Sequence, residues 1–219
     1  MIVSQFGVES WMDQYEEGAK YNITDTCAKP LSLAELFSLA GEDRADFMER
    51  FFAREQTYGT IFGSEKVKKE ISRLYESISP EEILTEHGAT GGNQHIFFSL
   101  IRPGDRVIAF SPSYQQFYSA PEALGAEVTV LRLRRENGYL PDLDELSRAA
   151  ARGVRMICLN NPNNPTGSLI PADMMEDIVA IARRAGAYLF CDEVYSGVSI
   201  DGASTPSVAD LYEKGIATG

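Results

Sequence analysis

From residue 80 onward, short aliphatic and β-branched runs alternate with longer stretches in which apolar positions recur every three or four residues. The short runs predict strands at 83–85, 106–110, 127–133, 155–159 and 187–191, and residues 214–218 begin a further one. The longer stretches predict helices at 94–101, 115–124, 143–151 and 172–185. Strands and helices alternating like this build βα units, and the unbroken apolar run Met156-Ile157-Cys158-Leu159 suits a strand covered on both faces. A doubly wound α/β fold follows, with a mostly parallel sheet between two helical layers.

Residues 1–79 read differently, as helices joined by loops. Ser32-Leu33-Ala34-Glu35 is a capping-box start for a helix reaching about residue 40, and a second helix is expected at 44–54. Val67, Ile71, Leu74 and Ile78 give a third, over 64–78, an apolar stripe. There is no internal repeat, low-complexity tract or flexible linker. Residues 1–45 are expected to form an N-terminal arm with part of a small domain, and 46–219 an incomplete large domain, with the boundary near 41–57.

Composition narrows the functional classes. At 219 residues, 44% hydrophobic and 24% charged, the chain is long enough to bury a real core. A net charge of −12 argues against a broad surface for nucleic acid or anionic lipid, while leaving room for a local pocket for one phosphate. Residues 1–20 carry Glu9, Asp13, Glu16 and Glu17 without a basic leader segment, and no apolar run approaches the roughly 18 residues of a membrane span. Neither secretion nor membrane insertion is expected, and the cytoplasm is the expected location. Cys158 and Cys191 lie inside strand-like runs, which suits buried reduced thiols better than a disulfide framework or a zinc site. His87 and His95 have no partner ligands at metal spacing, so no metal site is expected.

The chemistry-bearing residues fall at the ends of predicted strands. Gly91-Gly92-Asn93 lies between a strand and a helix, where free backbone N–H groups and the positive helix end can hold a phosphate, although the same glycines also suit an ordinary turn. Ser111-Pro112-Ser113-Tyr114 follows the next strand, and Tyr114 is either a rim aromatic or a ring for stacking. The run Asn160-Asn161-Pro162-Asn163-Asn164-Pro165-Thr166-Gly167 is dense in turn formers directly beyond a buried strand. Asp192 closes the next strand and Tyr195 follows at Asp-x-x-Tyr spacing, so an amide, a carboxylate and a phenol line one edge of the sheet. Asp192 could instead cap backbone N–H groups there. Glu193 projects to the other side of the strand and reads as structural.

In combination these motifs resemble the class I/II aminotransferases of fold type I, which use pyridoxal 5'-phosphate (PLP), over residues 58–219. The resemblance implies the large domain of that fold, with Gly91, Gly92 and Asn93 at the PLP phosphate and Tyr114 stacked on the pyridine ring. It gives Asn164 and Tyr195 contacts to the ring oxygen, and Asp192 the pairing with the pyridinium nitrogen that makes the cofactor an electron sink. Tyr58, in Tyr58-Gly59-Thr60-Ile61-Phe62-Gly63, matches a segment whose tyrosine crosses a homodimer interface to the neighbour's phosphate. The family also implies cis bonds at Ser111-Pro112 and Asn164-Pro165, and amino-acid and 2-oxo-acid substrates.

Two features of the family have no counterpart here. Its Schiff-base lysine follows a strand like 215–219, and its carboxylate-binding arginine lies in a C-terminal small domain; neither is found, and Lys214 precedes that strand. No catalytic nucleophile is therefore assigned, and the chain reads as a fragment of a protein nearly twice as long. PLP lyases, decarboxylases and cyclising enzymes share the same ring contacts, and Val8-Glu9-Ser10-Trp11-Met12-Asp13 is similar to capreomycidine synthase-type members. A non-catalytic binding or assembly subunit built on a lysine-free PLP domain is the reading outside the enzyme class.

Overall fold

The computed structural model describes residues 3–23, 27, 29–199 and 202–219. Four helices come first: α1 (Gly7–Tyr15), α2 (Leu33–Ala40), α3 (Arg44–Phe52) and α4 (Glu65–Ser72). Then α5 (Gly88–Leu100), β1 (Arg106–Ser111), α6 (Gln116–Ala123), β2 (Glu127–Arg132), α7 (Leu143–Ala150) and β3 (Met156–Asn160) alternate. The chain continues through α8 (Ala172–Ala185), β4 (Tyr188–Asp192), the short α9 (Val208–Leu211) and β5 (Gly215–Thr218). The five strands form one sheet in the order β2-β1-β3-β4-β5, every neighbouring pair parallel.

The period-2 geometry of the strands divides the core into two layers. Ile108, Ile157, Leu189 and Cys191 point to one face, where Leu146 of α7 and Met175, Ile178 and Ala182 of α8 cover them. Val107, Ala109, Met156, Cys158 and Phe190 point to the other, under Phe97 of α5 and Phe117 of α6. The Phe190 ring meets both phenylalanines edge-on, at 5.5 and 5.9 Å. Cys158 and Cys191 are fully enclosed, and burial pushes both thiols well above their ordinary pKa. The doubly wound α/β fold is thus the one expected.

Three elements depart from the sequence reading. Ile83 is extended, at φ −102° and ψ 130°, but residues 83–85 belong to no sheet ladder. Ile83, Leu84 and Thr85 face Ile216, Ala217 and Thr218 of the edge strand β5 across a cavity of about 740 Å³, so the pattern for extended backbone is present while a pairing neighbour is out of reach. Helix α4 ends at Ser72, six residues early. The Asp210 carboxylate accepts from the N–H of Ser77 (2.8 Å) and of Glu76 (3.1 Å), fixing that segment as a loop against α9. Helix α5 begins at Gly88 and so takes in the glycine-rich stretch read as a turn. A Cβ at Gly92 would stand 3.3 Å from the Thr218 methyl, so close packing of α5 on β5 accounts for a residue that is poor in helices.

Candidate functional site

The chain winds from β1 outward to β2, then returns to place β3 on the other side of β1, so the carboxyl ends of β1 and β3 flank a topological switch point. A cavity of about 610 Å³ opens beside these ends, lined by Ser111 and Pro112 after β1, Asn160 and Asn164 after β3, and Asp192 and Tyr195 after β4. Ser111-Pro112 and Asn164-Pro165 are cis, as expected, and Asn161-Pro162 is cis as well.

Asp192 is the chemical centre of this wall. It is 4% exposed, and strand alternation aims its side chain at the α5 layer, where Oδ2 accepts from Asn93 Nδ2 at 2.8 Å. Its Oδ1 accepts from the Val194 N–H at 3.1 Å. Burial pushes its pKa up, and these two hydrogen bonds offset the rise only in part. No salt bridge joins it among the described residues, so its charge stands without a counter-ion.

Asn164 and Tyr195 meet across the cavity, with Asn164 Nδ2 3.2 Å from the Tyr195 hydroxyl. Asn164 is braced from below: its N–H donates to Asn160 Oδ1 (2.6 Å), and Asn160 Nδ2 donates to the Asp192 carbonyl (3.0 Å). Asn163 ties the two cis-proline turns together by donating to the Pro112 carbonyl at 3.1 Å. Tyr114 lies edge to face with Phe6 (5.8 Å) and Phe117 (6.0 Å), and burial raises the pKa of its phenol, which also faces Thr90 and Glu9.

The Gly91-Gly92-Asn93 triplet lies inside α5. Only the first N–H groups of a helix lack an intrahelical acceptor, and in α5 these belong to Gly88, Ala89 and Thr90. Ala89 and Thr90 line the cavity, whereas Gly91 and Gly92, the next residues of α5, are outside its wall. Asn93 is 0% exposed and ties Asp192 to Gln116 (3.1 Å) and Thr218 (2.7 Å). Tyr58 is 100% exposed and stands outside the cavity wall. Glu193 turns to the opposite face, accepting from Ser207 Oγ (3.1 Å) and the Val208 N–H (3.0 Å) at the start of α9. Lys214 Nζ donates to the Gly186 carbonyl at the amino end of the strands, away from the cavity. His95 pairs with Glu86 at 2.6 Å, and among the described residues no three His, Cys, Asp or Glu side chains cluster so as to hold a metal ion.

Sequence reasoning missed Asn93 as the partner of Asp192, Asn160 and Asn163 as braces, and the α1 residues in the wall. The density of asparagine in residues 160–164 was the available signal for the braces.

The family model for aminotransferase class I and II matches residues 47–218. A solved PLP-dependent aminotransferase from Streptococcus suis 89-1591 superposes with a TM-score of 0.94 at 43% identity, over 99% of this chain and 57% of its own. An LL-diaminopimelate aminotransferase from Syntrophobacter fumaroxidans is 34% identical over 61% of this chain, a stretch that covers 34% of the relative. An aspartate aminotransferase from Thermotoga maritima is 29% identical over 68% of the chain and 40% of its own length. The chain thus spans well under two thirds of the curated relatives it matches.

Proposed function

Because the chain belongs to the aminotransferase class I and II family, we propose that its cavity holds PLP and serves in moving an amino group between an amino acid and a 2-oxo acid. The observation that carries this reading is Asp192, an ion-pair-free carboxylate, 4% exposed, at the end of β4 in a cavity at the switch point. Burying such a charge without a cation is costly, and a protonated pyridine nitrogen is the counter-ion that would offset it.

The other residues fit the same group. Asp192 would hold the ring nitrogen protonated, and Asn93 and the Val194 N–H orient its carboxylate for that task. Asn164 and Tyr195, 3.2 Å apart, form a polar pair suited to the ring oxygen, with Tyr114 on the remaining wall. The N–H groups of Gly88, Ala89 and Thr90 suit the phosphate, with Gly91 and Gly92 supporting the turn behind them. When bound, PLP supplies an electron sink for the bond broken at the substrate Cα. We assign no proton-carrying lysine within these residues.

The reading includes a cytoplasmic homodimer with residues 1–45 as an arm and 46–219 in the large domain. Tyr58, Ile61 and Phe62, all highly exposed, support a partner surface in that segment, and the two buried thiols suit a reducing compartment. Sedimentation of the intact protein should give a dimer; a fully active monomer would remove Tyr58 from any shared site. The reaction is tested by mixing PLP-loaded intact protein with an amino donor and identifying the product. Formation of a 2-oxo acid with loss of the cofactor's visible absorbance is expected. Release of ammonia or carbon dioxide would instead indicate lyase or decarboxylase chemistry, and no reaction with any donor would favour a binding subunit.

A further inference from the structure

We infer that Glu9 selects the substrate of this cavity, favouring amino acids whose side chains end in an ammonium or guanidinium group; this rests on the aminotransferase reading above. Helix α1 contains no buried residue, so it is not held by an apolar face. It is clamped at its first turn by Gln115, whose side chain accepts from the Gly7 N–H (3.0 Å) and donates to the Gln5 carbonyl (3.0 Å). The edge-to-face contact of Phe6 with Tyr114 completes the attachment. Together these bring Val8, Glu9 and Met12 into the wall of the cavity that contains Asp192 and Tyr195.

The charge of that wall is one-sided. Among the described residues lining the cavity there are two carboxylates, Glu9 and Asp192, and no lysine, arginine or histidine. Asp192 is engaged by Asn93 and the Val194 N–H and has its own role in the proposed site, whereas Glu9 stands on a wall supplied by a separate element. The Tyr114 phenol faces Glu9, and one such donor leaves most of a carboxylate's acceptor positions for a ligand. Glu9 is half-buried, which strengthens its pairing with a cation and its rejection of an anion relative to bulk water. Val8 and Met12, on the same helix, offer apolar surface for an aliphatic stem. A methylene chain with a cationic tip matches both features, and an acidic side chain matches neither.

The test uses the PLP-loaded intact protein and matched donors: L-arginine against L-citrulline, L-lysine against L-norleucine, and L-glutamate. Dissociation constants are read by calorimetry alongside kcat/KM. The wild type should prefer the cationic member of each pair by about tenfold or more, and Glu9→Gln should bring that ratio close to one. Glu9→Lys should turn the preference toward L-glutamate, and Gln115→Ala, which releases the clamp without altering charge, should lower the cationic preference. A ratio near one in the wild type, or one that survives Glu9→Gln, overturns the inference, while 2-oxo acid formed from any donor keeps the aminotransferase reading. Conversely, a cationic preference in the binding constants that Glu9→Gln abolishes, without 2-oxo acid from any donor, sinks that reading and leaves Glu9 as the selecting residue.

Discussion

The two ends of this chain handle apolar residues in opposite ways. In the sheet region, Phe97, Phe117, Phe190, Leu146 and Met175 are enclosed, whereas α1 to α4 contain no buried residue. Leu33, Leu39 and Phe52 stand in solvent despite lying in helices as regular as those against the sheet. Helix α2 even has a complete capping box, Ser32 with Glu35. Local signals are therefore enough to specify a helix, while burial depends on a neighbouring layer that only the sheet supplies here. The cavity lies where the regimes meet, with its floor built from strand ends and one wall attached through Gln115 and the Phe6–Tyr114 contact.

The largest contrast is expected in the core. Phe190→Ala removes a ring packed against Phe97 and Phe117 and should cost about 3 to 5 kcal/mol, seen as a lower urea midpoint. Phe52→Ala, in the exposed end of α3, should change stability by no more than about 0.5 kcal/mol. Comparable losses at the two positions would show that α3 is packed in solution and would break the comparison.

At the site the expected effect is nearly as large but falls on chemistry. Asp192→Asn preserves volume and still offers an oxygen to Asn93, so the intact protein should retain PLP while turnover drops by roughly 10² to 10³. Normal turnover by this variant would take Asp192 out of the pyridinium role.

Much of the floor was legible in sequence because strand ends are marked by sharp changes in composition. Met156 to Leu159 is apolar and is followed at once by asparagines and prolines, and the strand ending in Asp192 stands out in the same way. Asn164, Asp192, Tyr195 and Tyr114 do line one cavity. The start of α5 was missed because a glycine-rich stretch normally marks a turn, whereas Gly92 here serves the contact of α5 with Thr218 inside a helix. Residues 83–85 show the limit of the pattern, which marks a β-prone run and not the presence of a pairing partner. Glu9 was unreadable as a wall residue, since its place depends on Gln115, more than a hundred positions away.

Helix caps sharpen the contrast at a smaller scale. The Asp142 side chain accepts from the Glu145 N–H at 2.9 Å at the start of α7, which packs on the sheet, so Asp142→Ala should cost about 1 kcal/mol of global stability. Ser32→Ala deletes an equally good cap on α2, yet it should leave the global urea midpoint in place and appear only as faster hydrogen exchange in that helix. A midpoint shift from Ser32→Ala matching that from Asp142→Ala would mean that α2 unfolds together with the sheet.

The smallest expected effect is a difference in sign between carboxylates of the two regions. Burial raises the pKa of Asp192 above its ordinary value of 3.8, so between that value and the raised one the folded protein binds more protons than the unfolded chain. Stability contributed by this group is therefore present at low pH and is lost as pH rises through the raised pKa. Glu35 behaves oppositely, because the Ser32 N–H and hydroxyl hold its carboxylate below the ordinary 4.5. Its contribution to α2 is present above 4.5 and is lost as pH falls through the lowered value. Cofactor-free wild type compared with Asp192→Asn should thus lose relative stability as pH rises from 3.8 through the raised pKa, whereas hydrogen exchange in α2 should slow relative to Glu35→Gln as pH rises from the lowered pKa to 4.5. If Asp192→Asn shows the same pH dependence as wild type, the carboxylate is solvated in the free protein, and the cavity floor is looser than its hydrogen bonds to Asn93 and Val194 imply.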